Sequence, residues 1–260
     1  MLKKIATFLV LSCCFLLGQP FSSAEGDIRA HLTPEAIDIG AFFNGTEVYV
    51  SGDVSPEAEV VVRLSGMRHD VALKKKGKVL GLLWMNLDSI TIHRVPNLYL
   101  VYISKDFEST IRKEPSKWEE LGFGFAALKK EVKISPAEAE SETIFREFVE
   151  LKKSEGLYAI EPGKVVYGEG ESSGKSFEAI LQIPPRLVPG KYLVETFAVK
   201  DGSVESRTTE ELQVKQVGFP ALITKLAFKH GALYGLLATI IAIAAGLLIG
   251  VIFKGEKGAH

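Results

Sequence analysis

The sequence predicts a mainly β body, an immunoglobulin-like antiparallel sandwich with one helical insert, followed by a single C-terminal transmembrane helix. Three observations carry that expectation. Turn signals recur about every ten residues through the first hundred positions: Asn44-Gly45, Ser55-Pro56, Ser65-Gly66, Gly77, Asn86, Pro96 and Asp106. Short strands at that spacing mark sandwiches and barrels. Further on, a capping pattern at Ser135 opens a helical periodicity, and the run Ala232 to Phe253 holds 22 residues without a charge.

From the N-terminus, Lys3 and Lys4 precede an apolar run from Ile5 to Leu17, and Ser22-Ser23-Ala24 supply the small residues a signal peptidase accepts. Residues 1–24 are therefore expected to be a signal peptide cleaved after Ala24. The run is too short for a comfortable crossing, since a spanning helix needs ~20 residues. A lipoprotein signal ending at Cys13 would leave an apolar run shorter than such signals use. Cleavage at Ala24 removes Cys13 and Cys14, so the exported body would have neither disulfides nor thiol chemistry.

The exported domain is expected over residues 25–218. Its strands are read in Glu47 to Ser51, Glu59 to Leu64, Ser89 to Val95, Leu98 to Ser104, Ser176 to Ile183, Lys191 to Lys200 and Glu211 to Val217. Asn44-Gly45 is the strongest hairpin signal, because that pair tolerates the positive φ values of a type I′ turn. Ser135-Pro136-Ala137-Glu138 reads as a capping box opening a helix over about 136–154, with Ile144, Phe148 and Leu151 on one face and Gly156 as its stop. The stretch Lys105 to Lys133 has no assignable pattern. Two small sandwiches joined near the helix are the alternative to one.

Residues 219–231 read as an interfacial connector, 232–253 as the span and 254–260 as a cytoplasmic tail. Lys254 and Lys257 agree with the positive-inside rule, while Lys225 and Lys229 weigh against it, so orientation rests on the signal peptide. The expected location is the inner membrane, single-pass, with the bulk of the chain on the periplasmic side.

Composition narrows the function. Of 260 residues, 47% are apolar, too many for a disordered chain. Lys and Arg number 31 against 32 acidic residues, a net charge of −1, and losing Lys3 and Lys4 makes the exported form more acidic still. That excludes the basic footprint of nucleic-acid binding. The five histidines, at 31, 69, 93, 230 and 260, form no pair at ligand spacing, so no metal site and no cofactor is expected. His69 is read in a turn beside Asp70 and His93 in a strand as an exposed or satisfied sheet residue. Ser172-Ser173-Gly174 reads as an ordinary loop, and Gly168, Gly170 and Gly174 lack the strand-then-helix setting of a nucleophile elbow or a phosphate loop.

The stretches AIDIGAFFNGTEVYVSGDV, KKKGKVLGLLWMN, PNLYLVYIS, FEAILQIPPRLVPGKYLVETFAVKDG and LYGLLATIIA follow one another in order from about Ile37 to Phe253. Together they resemble a transmembrane protein family first described from alphaproteobacteria. The resemblance implies a signal peptide, an exported β-rich region and one C-terminal span, with no enzymatic activity assigned. Members often lie beside permeases of the sulfite-exporter type, which implies an accessory role in membrane transport. This chain departs from the family pattern at Ser51, where an aromatic is usual, and in carrying lysine at 74–76, where arginine is commoner.

Two sets of candidate contact residues remain. Lys74, Lys75, Lys76 and Lys78 around Gly77 are read as a basic hairpin tip facing an anion or an acidic partner, or as lysines guarding a sheet edge. Ala238, Ala242, Gly246 and Gly250 recur every four residues and are read as a transmembrane packing stripe, because small side chains let helices approach closely in lipid. Trp84 is read as a sandwich-core anchor. The expected function is a non-enzymatic, single-span accessory subunit of a transport system, with an integral membrane partner, the lipid bilayer and no nucleic acid as its surroundings. A membrane-tethered enzyme and a surface adhesion module are the alternatives.

Overall fold

A computed structural model of the chain describes residues 28–79, 83–136, 141–169 and 174–253, so the expected signal peptide and tail lie outside the described residues. Among the described residues, thirteen strands form three sheets. The first has four strands in the order β1 (Arg29–Thr33), β3 (Thr46–Val54), β11 (Lys175–Ile183), β10 (Val165–Glu169). The second has six: β2 (Ala36–Ile39), β13 (Ser203–Gln216), β12 (Gly190–Lys200), β4 (Glu59–Ser65), β7 (Tyr99–Ile103), β9 (Tyr158–Pro162). The third is a long ribbon, β5 (Arg68–Val79) with β6 (Leu83–Pro96), carrying the short strand β8 (Lys133–Ser135).

The first two sheets face each other as a sandwich. Val48 and Val50 of β3 and Phe177, Ala179 and Leu181 of β11 pack against Val60, Val62 and Leu64 of β4, Tyr192 and Val194 of β12 and Leu212 of β13. Each strand contributes every second residue, as the pleat requires. Strands from both ends of the chain share this core: β3 pairs with β11 and β4 with β12. The six-stranded sheet is mixed, since β2 runs parallel to β13 and β9 parallel to β7.

That sheet is also covered on its other face. Val61, Tyr99, Val101, Ile103, Phe197 and Val199 pack beneath a cap built from the stretch the sequence left unassigned. It folds as α1 (Lys105–Lys113), α2 (Pro115–Glu120) and α3 (Gly124–Glu131). Ser104 accepts from the Phe107 amide at 3.1 Å and so caps α1. Gly124 has φ +79°, and a Cβ there would lie 2.2 Å from Nε1 of Trp118, so the α2–α3 bend closes over the indole only with glycine. Burial on two faces explains why apolar residues follow one another in β4 (Val60, Val61, Val62) and through β7, alternating between the sandwich and the cap.

The helix α4 (Ser141–Ser154) completes the cap with Ile144, Phe145, Phe148 and Val149. It ends as expected: Gly156 has φ +73°, and amides of Gly156 and Leu157 return to the carbonyls of Lys153 and Lys152. Its start differs from the capping-box reading. Ser135 is opposite Thr91 in the β6–β8 ladder, so its backbone serves a strand, and Glu138 lies outside the described residues.

Two further local expectations are corrected. Asn44-Gly45 makes no hairpin: β2 before it belongs to the six-stranded sheet and β3 after it to the four-stranded one, so the turn crosses between sheets. Gly45 takes φ +90°, and a Cβ there would sit 2.7 Å from the Ile183 carbonyl oxygen. Trp84 lies on β6 in the ribbon sheet rather than in the sandwich.

After β13 come α5 (Gly218–Lys229) and α6 (Gly231–Phe253), parted at His230. Helix α6 has a mean hydropathy of 2.8 over its most apolar stretch, and none of its residues is buried in the protein. Among the described residues it is the one helix long and apolar enough to cross a bilayer.

Candidate functional site

The cap does not cover the whole second face of the six-stranded sheet. Where it stops, the apolar floor gives way to charge, and a cavity of about 540 Å³ opens between the sheet and the cap edge. Its floor carries Arg63 of β4, Glu195 of β12 and Arg207 of β13; Tyr99, Leu193 and Pro96 supply the apolar part, and Arg68 and Glu131 form the cap-side wall.

Register builds this site. Arg63 stands directly opposite Glu195 in the β4–β12 ladder, and Arg207 opposite Phe197 in the β12–β13 ladder. All four side chains therefore share the cap-side face. Glu195 is the only charged side chain among the buried described residues. Its Oε2 accepts from Arg63 Nε at 2.7 Å and its Oε1 from an Arg207 terminal nitrogen. Both guanidiniums also rest over the Phe197 ring, at 5.0 and 5.4 Å from its centroid. One carboxylate and one ring thus fix two arginines.

Burial works against the Arg63 charge, but the Glu195 hydrogen bond and charge outweigh it and hold the guanidinium above its ordinary pKa. Tyr99, buried beside it, has its phenol pushed up by burial above all, so it stays neutral. At the rim, Lys191 pairs with Glu211 at 3.0 Å and Arg68 with Glu131, both solvent-exposed pairs of the weak kind.

A second polar cluster crosses the ribbon sheet. His93 Nδ1 lies 2.8 Å from Asp70 Oδ2 and His93 Nε2 lies 3.1 Å from Ser135 Oγ. Asp70 Oδ1 accepts from the Arg94 amide at 2.9 Å. That backbone bond, followed by His93, holds the Asp70 carboxyl below its usual range. His93 is thus a satisfied sheet residue, one of the two readings expected of it. His69, expected in a turn, belongs to β5 beside a register shift.

The lysines expected at a hairpin tip stand instead along β5, with Lys74 opposite Ser89, Lys75 opposite Asp88, Lys76 opposite Asn86 and Lys78 opposite Trp84. The third strand β8 pairs only with Thr91, Ile92 and His93, so this basic half of the ribbon runs beyond it. Lys74 is exposed and borders a groove of about 310 Å³ between the ribbon and Ile144, Phe148 and Leu151 of α4.

Ala238, Ala242, Gly246 and Gly250 all lie on α6 and are exposed. A Cβ at Gly246 or Gly250 would meet nothing within 4 Å. The stripe and the lysines are thus far apart in the chain order of the fold, and neither lines the arginine cleft.

A family model covers residues 27–255, from the first described strand through the apolar helix, and its description is Putative transmembrane protein (Alph_Pro_TM). The chain belongs to this family. The Alph_Pro_TM match agrees with a β-rich body followed by one helix able to cross a membrane. No curated protein matches the chain.

The cleft was not legible in the sequence. Arg63 and Glu195 are 132 residues apart, and only their strands' pairing brings them together. An arginine and a glutamate in otherwise apolar strands were the sole hint, since a charge on a buried face calls for a partner.

Proposed function

We propose that this protein is a non-enzymatic, single-span accessory subunit of a membrane transport system, possessing an exported binding domain on the periplasmic side of the inner membrane. Its span would dock against an integral membrane partner such as a sulfite-exporter-type permease, through Ala238, Ala242, Gly246 and Gly250. The supporting observation is continuity: β13 carries Arg207 and Glu211 of the cleft and runs on through α5 into α6. Glu211 precedes the end of β13 at Gln216 by only five residues, roughly 17 Å along a strand. Whatever occupies the cleft is thereby tied to the apolar helix through one strand and the 12-residue helix α5. Crosslinking in intact membranes, followed by identification of the linked protein, tests this reading. An integral membrane protein joined through α6 supports it; crosslinks only to soluble proteins refute it.

A membrane-tethered enzyme has one observation in its favour, the Ser135–His93–Asp70 row, whose order is that of a nucleophile, a base and an orienting carboxylate. His93 and Asp70 side chains are 35% and 55% exposed, in contrast to the water-excluding recess that acyl transfer needs. The row serves as a polar tie across β5, β6 and β8. Labelling of Ser135 by a fluorophosphonate probe, lost in His93→Ala, would favour the enzyme.

A further inference from the structure

We propose that the arginine cleft is a binding site for a small organic anion, its oxyanion group gripped by Arg63 and Arg207 and its apolar part laid on Tyr99, Leu193 and Pro96. The charge count comes first. Four cationic and three acidic side chains line the cavity, and the odd positive charge sits where one carboxylate, Glu195, serves two guanidiniums. A bound monoanion supplies the missing partner.

Pre-organisation comes second. A free arginine must lose most of its side-chain freedom to grip a ligand, and that ordering cost subtracts from affinity. Here Glu195 fixes Nε of Arg63 and a terminal nitrogen of Arg207, and the Phe197 ring supports both planes. Two guanidiniums held side by side by one carboxylate and one ring offer the planar donor chemistry that pairs with a carboxylate or a sulfonate.

Surroundings come third. The Arg63 side chain is 17% exposed and Tyr99 is buried, so charge-assisted hydrogen bonds form in a recess partly shielded from water. The outer pairs, Lys191 with Glu211 and Arg68 with Glu131, are exposed and exchangeable, and their cations can turn to the ligand on entry. A volume of about 540 Å³ lies within the range of small-molecule sites and exceeds what a bare inorganic ion fills. The site stands on these contacts whether or not the span has a partner.

The test uses the full-length protein in a non-ionic detergent and titration calorimetry. Benzoate and benzenesulfonate are the probes, benzamide the neutral counterpart and sulfate the anion without an apolar part. Saturable binding of the two aromatic anions, no binding of benzamide and weaker binding of sulfate are expected. Arg207→Gln, at a half-exposed position, should lower benzoate affinity about tenfold or more, while Val166→Gln on the outer sheet leaves it unchanged. Should Arg207→Gln fail to fold, the unmodified protein still decides: raising salt from about 50 to 500 mM must weaken benzoate binding. No saturable heat up to about 10 mM benzoate, or equal affinity for benzamide, overturns the proposal. Unchanged affinity in a folded Arg207→Gln overturns it too. Capture of a glutamate-rich peptide without any benzoate binding would assign the cleft to an acidic protein segment and equally overturn it.

Discussion

Glu195→Gln should be the most damaging charge removal in the β-rich body. Glu195 is 5% exposed, and the Arg63 side chain that depends on it is 17% exposed. Neutralising the carboxylate leaves Arg63 charged and largely enclosed, and breaking a buried pair from one side costs about 3–5 kcal/mol. For a domain of this size each kcal/mol moves the midpoint about 2–4 °C, so thermal unfolding should shift down by roughly 10 °C. The partner substitution Arg207→Gln removes a half-exposed cation and leaves the Arg63–Glu195 bond in place, for about 0–1 kcal/mol. The double change Arg63→Met with Glu195→Leu exchanges charge for apolar volume and should recover most of the loss, since well-packed hydrophobic replacements of buried pairs are often neutral. Thermal melts of the four proteins by near-ultraviolet circular dichroism supply the measurement. Equal losses for Glu195→Gln and Arg207→Gln, or no recovery in the double variant, would refute the reasoning.

Three other outcomes are expected. Phe148→Ala on α4, which removes a buried ring set edge-on to Tyr158 at 5.8 Å, should cost about 3–5 kcal/mol, whereas Leu151→Ala on the same helix, a half-exposed position, should cost far less; equal values would mean that the cap is not packed as described. Gly246→Ile combined with Ala242→Ile should weaken helix association in a membrane two-hybrid assay, and an unchanged signal removes the packing stripe. The Asp70 carboxyl, held low by the Arg94 amide and then His93, should titrate by carbon NMR below the ordinary ~3.9. Its folded pKa lies under the unfolded one, so its contribution is complete above ~3.9 and is lost as pH falls through the folded value. A midpoint at or above ~3.9 contradicts the hydrogen-bond geometry.

Much of the β framework was readable because period-two alternation survives wherever one face of a strand is open. In β11, Phe177, Ala179, Leu181 and Ile183 are buried and Glu178 and Gln182 are exposed, as their spacing says. Alternation vanishes in β4 and β7, where both faces are covered, and with it the sign that a third layer exists. The cap helices α1 to α3 are nine residues or shorter, too brief for a 3.6-residue repeat to stand out. Local signals misled where tertiary pairing overruled them. Asn44-Gly45 has hairpin chemistry, but Ala36–Ile39 pairs with β13 instead of β3. Ser135 has cap chemistry, but its backbone is committed to β6. The cleft depends on register between strands far apart in sequence, which no local pattern records.

The central claim is a β body outside and a short tail inside, joined by one crossing. Single cysteines introduced as Val166→Cys on the exposed outer sheet and Lys257→Cys in the tail, each treated with a membrane-impermeant maleimide on intact spheroplasts, test it most directly. The account predicts labelling of the Val166→Cys protein without lysis and of the Lys257→Cys protein only after lysis. Labelling of the tail on intact spheroplasts, with the sheet position protected until lysis, would contradict it.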